Sequence, residues 1–426
     1  MRKAILGGSL ILAVFGMWVL FTECGGSGGG SNTTVSSAEN VQPIMVNGGP
    51  TADPSSNKIY PNAAFTSVTV CVPGTSKCQT IDGILVDTGS VGLMLLSSSG
   101  GGALSLSLPA QTIDGNPLAE SVQFVDGSYV WGPIQIADVK IAGESASSVP
   151  IHVLDHNFYT IPTYLSSGGG PEEDDLQSLS ANGILGVGQT QQDCGGACVA
   201  TAGASPPQGT YYECSASGCQ PVFVPLSQQV QNPVAMFPQD NNGVMITLPA
   251  VSGAAATVSG SLLFGIGTQS NNGLGSATVY TDTLNTNYSI TTIYKNQQGK
   301  YVTMPESFID SGSNGYFFWD STITQCPTSG TNDYASGYYC PSATLNLSAT
   351  NQGANGTSGT VTFSVGNAST MFSGPTGNYA AFSTLAGPNT PTDSFDWGLS
   401  FFYGRAVYTA IEGKDTPAGQ GPYWAY

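Results

Sequence analysis

A duplicated segment constrains this chain more than any other feature. Leu85-Val86-Asp87-Thr88-Gly89-Ser90-Val91-Gly92-Leu93-Met94-Leu95 returns as Phe308-Ile309-Asp310-Ser311-Gly312-Ser313-Asn314-Gly315-Tyr316-Phe317-Phe318, at an offset of 223 residues. Each copy reads apolar pair, Asp, hydroxyl residue, Gly, Ser, any residue, Gly, three apolar residues. Solenoid units repeat every ~20–50 residues, so this offset points instead to one copy in each of two lobes. The Gly-rich stretch Gly260-Ser261-Leu262-Leu263-Phe264-Gly265 puts the boundary near residue 245, giving lobes over 42–245 and 246–426.

Around the copies, apolar runs at 67–72, 83–86, 130–141 and 149–154 are punctuated by Gly, Asn and Pro turns. Helical periodicity is scarce, and the best helix candidate is a short one over 225–234. With 56 glycines and only 8% charged residues, the pattern is that of an all-β protein.

An Asp closing an apolar strand before hydroxyl-Gly-Ser sits in a tight turn whose hydroxyls can bond its oxygens. One such segment is an ordinary strand-ending turn. Two, related by a pseudo-twofold axis, bring Asp87 and Asp310 face to face, where like charges cannot both ionise and one proton is shared. Such a pair can act as acid and base on one bound water with neither metal nor cofactor.

These segments resemble those of the pepsin-like aspartic proteases, and the resemblance covers nearly all of the chain beyond residue 41. It implies a bilobed all-β fold with a cleft between the lobes, and a monomer that cleaves extended protein or peptide substrates. Asp87 and Asp310 would be catalytic. Thr88 and Ser311 would exchange hydrogen bonds beneath them, while Ser90 and Ser313 would bond the outer carboxylate oxygens. Gly89 and Gly312 would admit the substrate backbone. Phe124-Val125-Asp126-Gly127-Ser128 takes the place of the flap, with Phe124, Gly127 and Ser128 against substrate. Gly183-Ile184-Leu185-Gly186-Val187-Gly188 and Asp396-Trp397-Gly398-Leu399-Ser400-Phe401-Phe402 resemble the element behind each aspartate. The chain departs from the family in three places. Phe124 replaces the flap tyrosine unless Tyr129 serves from a shifted register. Met94 replaces the tryptophan that buttresses it. Asp396 stands where an apolar residue is usual, so that the alignment slips there or a buried acid needs a partner such as Arg405.

Nine basic against 27 acidic side chains, net −18, argue against nucleic-acid partners. Few cations also leave little positive charge to accumulate in acid. The N-terminus reads as an export leader over 1–24, with an apolar run ahead of Cys24, and then a Gly/Ser tether over 25–41. Either Cys24 carries a lipid or the leader stays as an anchor, placing the protein in the cell envelope, periplasmic or extracellular. Membrane contact is then confined to this leader or its lipid. The other eight cysteines fall in close pairs, Cys71 with Cys78, Cys194 with Cys198, Cys214 with Cys219 and Cys326 with Cys340. Local disulfides are the natural reading in an exported chain, although spacing alone leaves the connectivity open.

No zinc-knuckle spacing occurs, and His152 and His156 are expected on the surface or in loops. No Gly-x-Ser-x-Gly elbow supports a serine hydrolase. A glycosidase also uses paired carboxylates, but its acid and base occupy unlike settings rather than a duplicated one. The main rival to a peptidase is a surface-tethered binding protein that keeps the cleft without turnover.

Overall fold

The computed structural model describes residues 39–52, 59–125, 127–166, 170–282, 288–327, 334–373 and 376–426. The leader, Cys24 and Asp126 lie outside them. No helix among the described residues is long and apolar enough to cross a membrane.

The protein is all-β, and its two halves repeat one strand arrangement. In the first, Cys78–Asp87 alternates in burial until Ile84, then runs fully buried through Ile84-Leu85-Val86-Asp87. A continuous apolar run of this kind suits a strand covered on both faces. It pairs in parallel with Gly183–Val187, matching Leu85 to Ile184, Val86 to Leu185 and Asp87 to Gly186. After the turn, Val91–Leu96 runs antiparallel to Gly183–Val187 and parallel to Glu144–Leu154.

The second half repeats this. Tyr301–Ile309 pairs in parallel with Asp396–Trp397, matching Phe308 to Asp396 and Ile309 to Trp397. Tyr316–Phe317 runs antiparallel to Asp396–Trp397 and parallel to Ala386–Gly387. Gly398 allows the crossing, because a Cβ there would stand 2.2 Å from Gly315 O. Beneath it, Trp397 stacks on Phe395 at 4.0 Å and Phe395 on Phe318 at 4.7 Å. Aromatic pairs of this kind contribute about 0.5–1.5 kcal/mol each beyond area burial, and here they brace the strand ending at Asp310.

Both halves rest on one shared sheet. Val258–Phe264 lies between Val41–Val46 and Gly243–Leu248, and the latter pairs with Arg405–Ala410. Residue 245 therefore sits inside the shared sheet. Residues within the stretch read as tether belong to the fold: Glu39 O accepts from Gly143 N (2.6 Å), the Asn40 amide donates to Phe264 O (2.9 Å), and Val41 pairs with Leu263. Four local disulfides join Cys71 to Cys78, Cys194 to Cys198, Cys214 to Cys219 and Cys326 to Cys340.

No helix forms over 225–234. Instead, single 3-10 turns occupy Leu226–Gln228 and Val234–Met236. Pro233 disfavours a helical residue before it. The intervening amides bond outward, Gln229 to Gly195 O (2.9 Å) and Val224 O (3.0 Å), and Asn232 to Gly188 O (3.0 Å).

Asn62 joins the halves beside the second Asp turn. Its backbone is left-handed (φ 50°), its Nδ2 donates to Asn314 O (2.7 Å) and Phe382 O (2.8 Å), and its Oδ1 accepts from Phe382 N (2.6 Å) and the Tyr403 hydroxyl (2.8 Å). Asn62→Ala strands buried donors and acceptors at about 1–3 kcal/mol each. It is expected to lower stability by about 3 kcal/mol in denaturant unfolding; an unchanged midpoint contradicts this role.

Candidate active site

Asp87 and Asp310 are both fully buried at the base of the junction between the halves, with their carboxyls in hydrogen-bonding contact. Each is held by its own turn. Gly89 N donates to Asp87 Oδ1 (2.7 Å), and the Ser90 hydroxyl donates to Asp87 Oδ2. Gly312 N donates to Asp310 Oδ1 (2.7 Å), and the Ser313 hydroxyl donates to Asp310 Oδ2 (2.9 Å). Below them the turns are cross-linked. Thr88 N donates to Ser311 Oγ (3.1 Å) and Ser311 N to Thr88 Oγ1 (2.9 Å), while each hydroxyl donates onward, Thr88 to Ile309 O (3.3 Å) and Ser311 to Val86 O (2.8 Å). A Cβ on Gly89 would stand 2.6 Å from Asp310 Cγ, so only glycine lets the carboxyls meet.

Burial above all, and then the charges of Asp87 and Asp396, push the Asp310 pKa well above the usual carboxylate range. Asp310 therefore keeps a proton where an exposed carboxyl would lose it.

The segment expected as a flap forms a tight hairpin turn, in which Phe124 N donates to Ser128 O (2.8 Å) and Gly127 N to Phe124 O (3.0 Å). Phe124 and Ser128 are buried, and Phe124 belongs to one apolar cluster with Met94, Val130 and Leu154. The two altered residues, Phe124 and Met94, thus share one apolar cluster. Tyr129 does not take over from Phe124. Strand alternation sends it to the opposite face, against Trp131 and Tyr212.

A cavity of about 390 Å³ opens beside the dyad, lined by the Thr88–Val91 turn, Gln189, Tyr288, Phe308 and Trp424, with Asp193, Glu306 and Glu412 on its wall. Its described lining does not include Phe124, Gly127 or Ser128.

His152 overturns the expectation of a surface histidine. Its strand, Glu144–Leu154, is covered on both sides by Tyr129–Ile141 and Val91–Leu96, and the fully buried imidazole lies 3.3 Å from the buried Glu120 carboxylate. His156 is partly exposed and pairs with Asp174 at 2.6 Å. Removing one partner of a buried pair costs about 3–5 kcal/mol, so His152→Ala is expected to lower the thermal midpoint by many degrees. A surface-like effect of under about 0.5 kcal/mol would refute the pairing.

A family model matches residues 36–426. This chain belongs to the family described as "Protein of unknown function (DUF3443)". Among solved structures, this DUF3443 protein is similar to an aspartic proteinase from Irpex lacteus at 14% identity and a TM-score of 0.48, over 90% of this chain and 96% of that one. No curated protein matches it.

Sequence reading of the DUF3443 chain misses Asn62 and Glu120, which carry no motif and gain their partners from residues far along the chain. Asp396 stands out in the sequence, but its expected partner is wrong. The alignment does not slip, since Asp396 pairs with Phe308 as Ile184 pairs with Leu85. Arg405 instead donates to Phe401 O (2.6 Å) and lies over the Phe401 ring.

Proposed function

We propose that this protein is an aspartic endopeptidase that hydrolyses peptide bonds with a water held between Asp87 and Asp310. The contact between two buried carboxyls, each fixed at both oxygens by its own turn, carries this reading. The ionised carboxyl takes a proton from the water as its oxygen bonds to the scissile carbonyl carbon. The protonated carboxyl gives its proton to the carbonyl oxygen, forming a gem-diol. The carboxyl that now holds the proton gives it to the amide nitrogen while the ionised carboxyl takes one from a gem-diol hydroxyl, and the C–N bond breaks, leaving acid and amine and the dyad with one proton. The buried hydroxyl network holds both carboxyls in place during these transfers, so little reorganisation is needed.

The substrate is an extended protein segment with a side chain in the cavity beside the dyad. The four disulfides are consistent with an exported protein, and the leader would keep it at the cell envelope. The burial of Phe124 in an apolar cluster that includes Met94 favours a second reading, a bilobed binding protein without turnover, because a phenylalanine there supplies no flap hydroxyl.

Incubation with unfolded protein at mildly acidic pH separates the two. The peptidase reading expects cleavage that a statine-type analogue blocks and a chelator leaves alone. A folded, disulfide-bonded sample that binds peptides and cleaves none supports the binding protein.

A further inference from the structure

The two halves repeat one strand register around the dyad, but the strand behind each aspartate differs in the charge it carries there. Ile184 and Asp396 occupy equivalent places behind the two aspartates, opposite Leu85 and Phe308 respectively. Ile184 joins an apolar cluster with Met94 and Phe124. Asp396 puts a carboxyl there on one side only. Its neighbour Trp397 enters the aromatic core with Ile309, so alternation turns Asp396 to the face of Phe308 and Asp310. It is 5% exposed, and its Oδ1 is buried with no hydrogen-bond partner. The Ser313 hydroxyl, which donates to Asp310 Oδ2 at 2.9 Å, also lies close enough to Asp396 to favour its charged form.

We propose that Asp396 is a third carboxyl of the dyad, a positioning residue that acts through Ser313 to hold the shared proton on Asp310 and to extend the working range toward higher pH. The inference rests on the peptidase reading for its consequence in turnover, but its electrostatic content does not. Two identical carboxyls in symmetric turns give the proton no preferred side. A third on the second half alone removes that symmetry. Flanked by Asp87 and Asp396, Asp310 is the carboxyl whose ionisation would crowd three negative charges together, so it gives up its proton last. Asp87 is then the base and Asp310 the acid.

The charged and titratable groups around Asp396 fit this account. Asp310 follows the paired strand, Asp87 faces it from the other turn, and Glu306, two residues before Phe308, lines the cavity on the same face. On the other packed elements, the Tyr316 hydroxyl donates to Ser400 O (2.9 Å), and Arg405 is held at Phe401. Burial first, and then the charge of Asp87, raise the Asp396 pKa, against the lowering effect of Ser313.

The test compares the parent with Asp396→Asn, and with Asp396→Ile, which copies the other half and serves if the amide misfolds. Two quantities are followed against pH: kcat/KM on a peptide, and the infrared carbonyl band of protonated buried carboxyls, which needs no turnover. The expected result is a basic limb of kcat/KM displaced by about one unit toward acid, about a tenfold loss at neutral pH with activity kept at the acid optimum. The last carboxyl band should disappear at correspondingly lower pH. A uniform fall in kcat with the limb and band unmoved, or displacement to higher pH, overturns the proposal. Displacement of the band without cleavage by any form upholds the role of Asp396 and refutes the peptidase.

Discussion

Protein carrying Asp310→Asn is expected to fold normally and to cleave peptide at least about 10⁴-fold more slowly than the parent. General acid and general base catalysis contribute ~10²–10⁴-fold each, and one shared proton serves both, so an amide at either position disables the pair. Asp87→Asn should behave alike. The substitution preserves shape, and the bonds between Thr88 and Ser311 that join the turns do not involve it. Because burial and the charges of Asp87 and Asp396 hold Asp310 toward its protonated form, removing its ionisable group removes a cost at neutral pH. The midpoint of the Asp310→Asn protein should therefore equal or exceed the parent's. Activity within about tenfold of the parent at either position, in folded protein, excludes the water-between-carboxyls mechanism.

Thermal stability is expected to fall as pH rises from about 4 to above 7. Burial, then the Glu412 charge, raise Asp282 from 3.8 to about 7; burial, then Asp240, raise Glu144 to about 7; burial, then Asp174, raise Glu172 to about 7. Each binds its proton more tightly folded than unfolded. Their share of stability is fully present below the unfolded values, near pH 4, and is lost as pH climbs through about 7. For the well-buried Asp282 this difference corresponds to roughly 4 kcal/mol. Glu144 and Glu172 are more exposed and contribute less. Asp310 and Asp396 act in the same direction, and so does self-repulsion at a net charge of −18. Calorimetry across this range reads the effect, and Asp282→Asn should flatten it. A midpoint that climbs with pH would refute the burial of these acids.

The duplicated segment and alternating apolar runs made the all-β fold legible, because strand period, turn glycines and terminal hydroxyls are local properties of the chain. The same holds for the turns around Asp87 and Asp310, whose gripping donors lie two and three residues away. The close cysteine pairs likewise brought their own partners within reach. Tertiary structure decided whatever depends on which distant strand lies alongside. His152 reads as a polar interruption of a strand, but both edges of that strand are paired, its residues from Val149 to Leu154 are all buried, and Glu120 comes from another strand. Asn62 carries no local signal, since its partners lie more than 250 residues onward. A helix over 225–234 lost to extended backbone because buried amides found carbonyl partners across the fold. Asp396 shows the division most plainly. Its sequence showed an acid in an apolar place, and only the register of two strands and a serine turn put that acid beside the dyad, in low dielectric where its charge acts on Asp310.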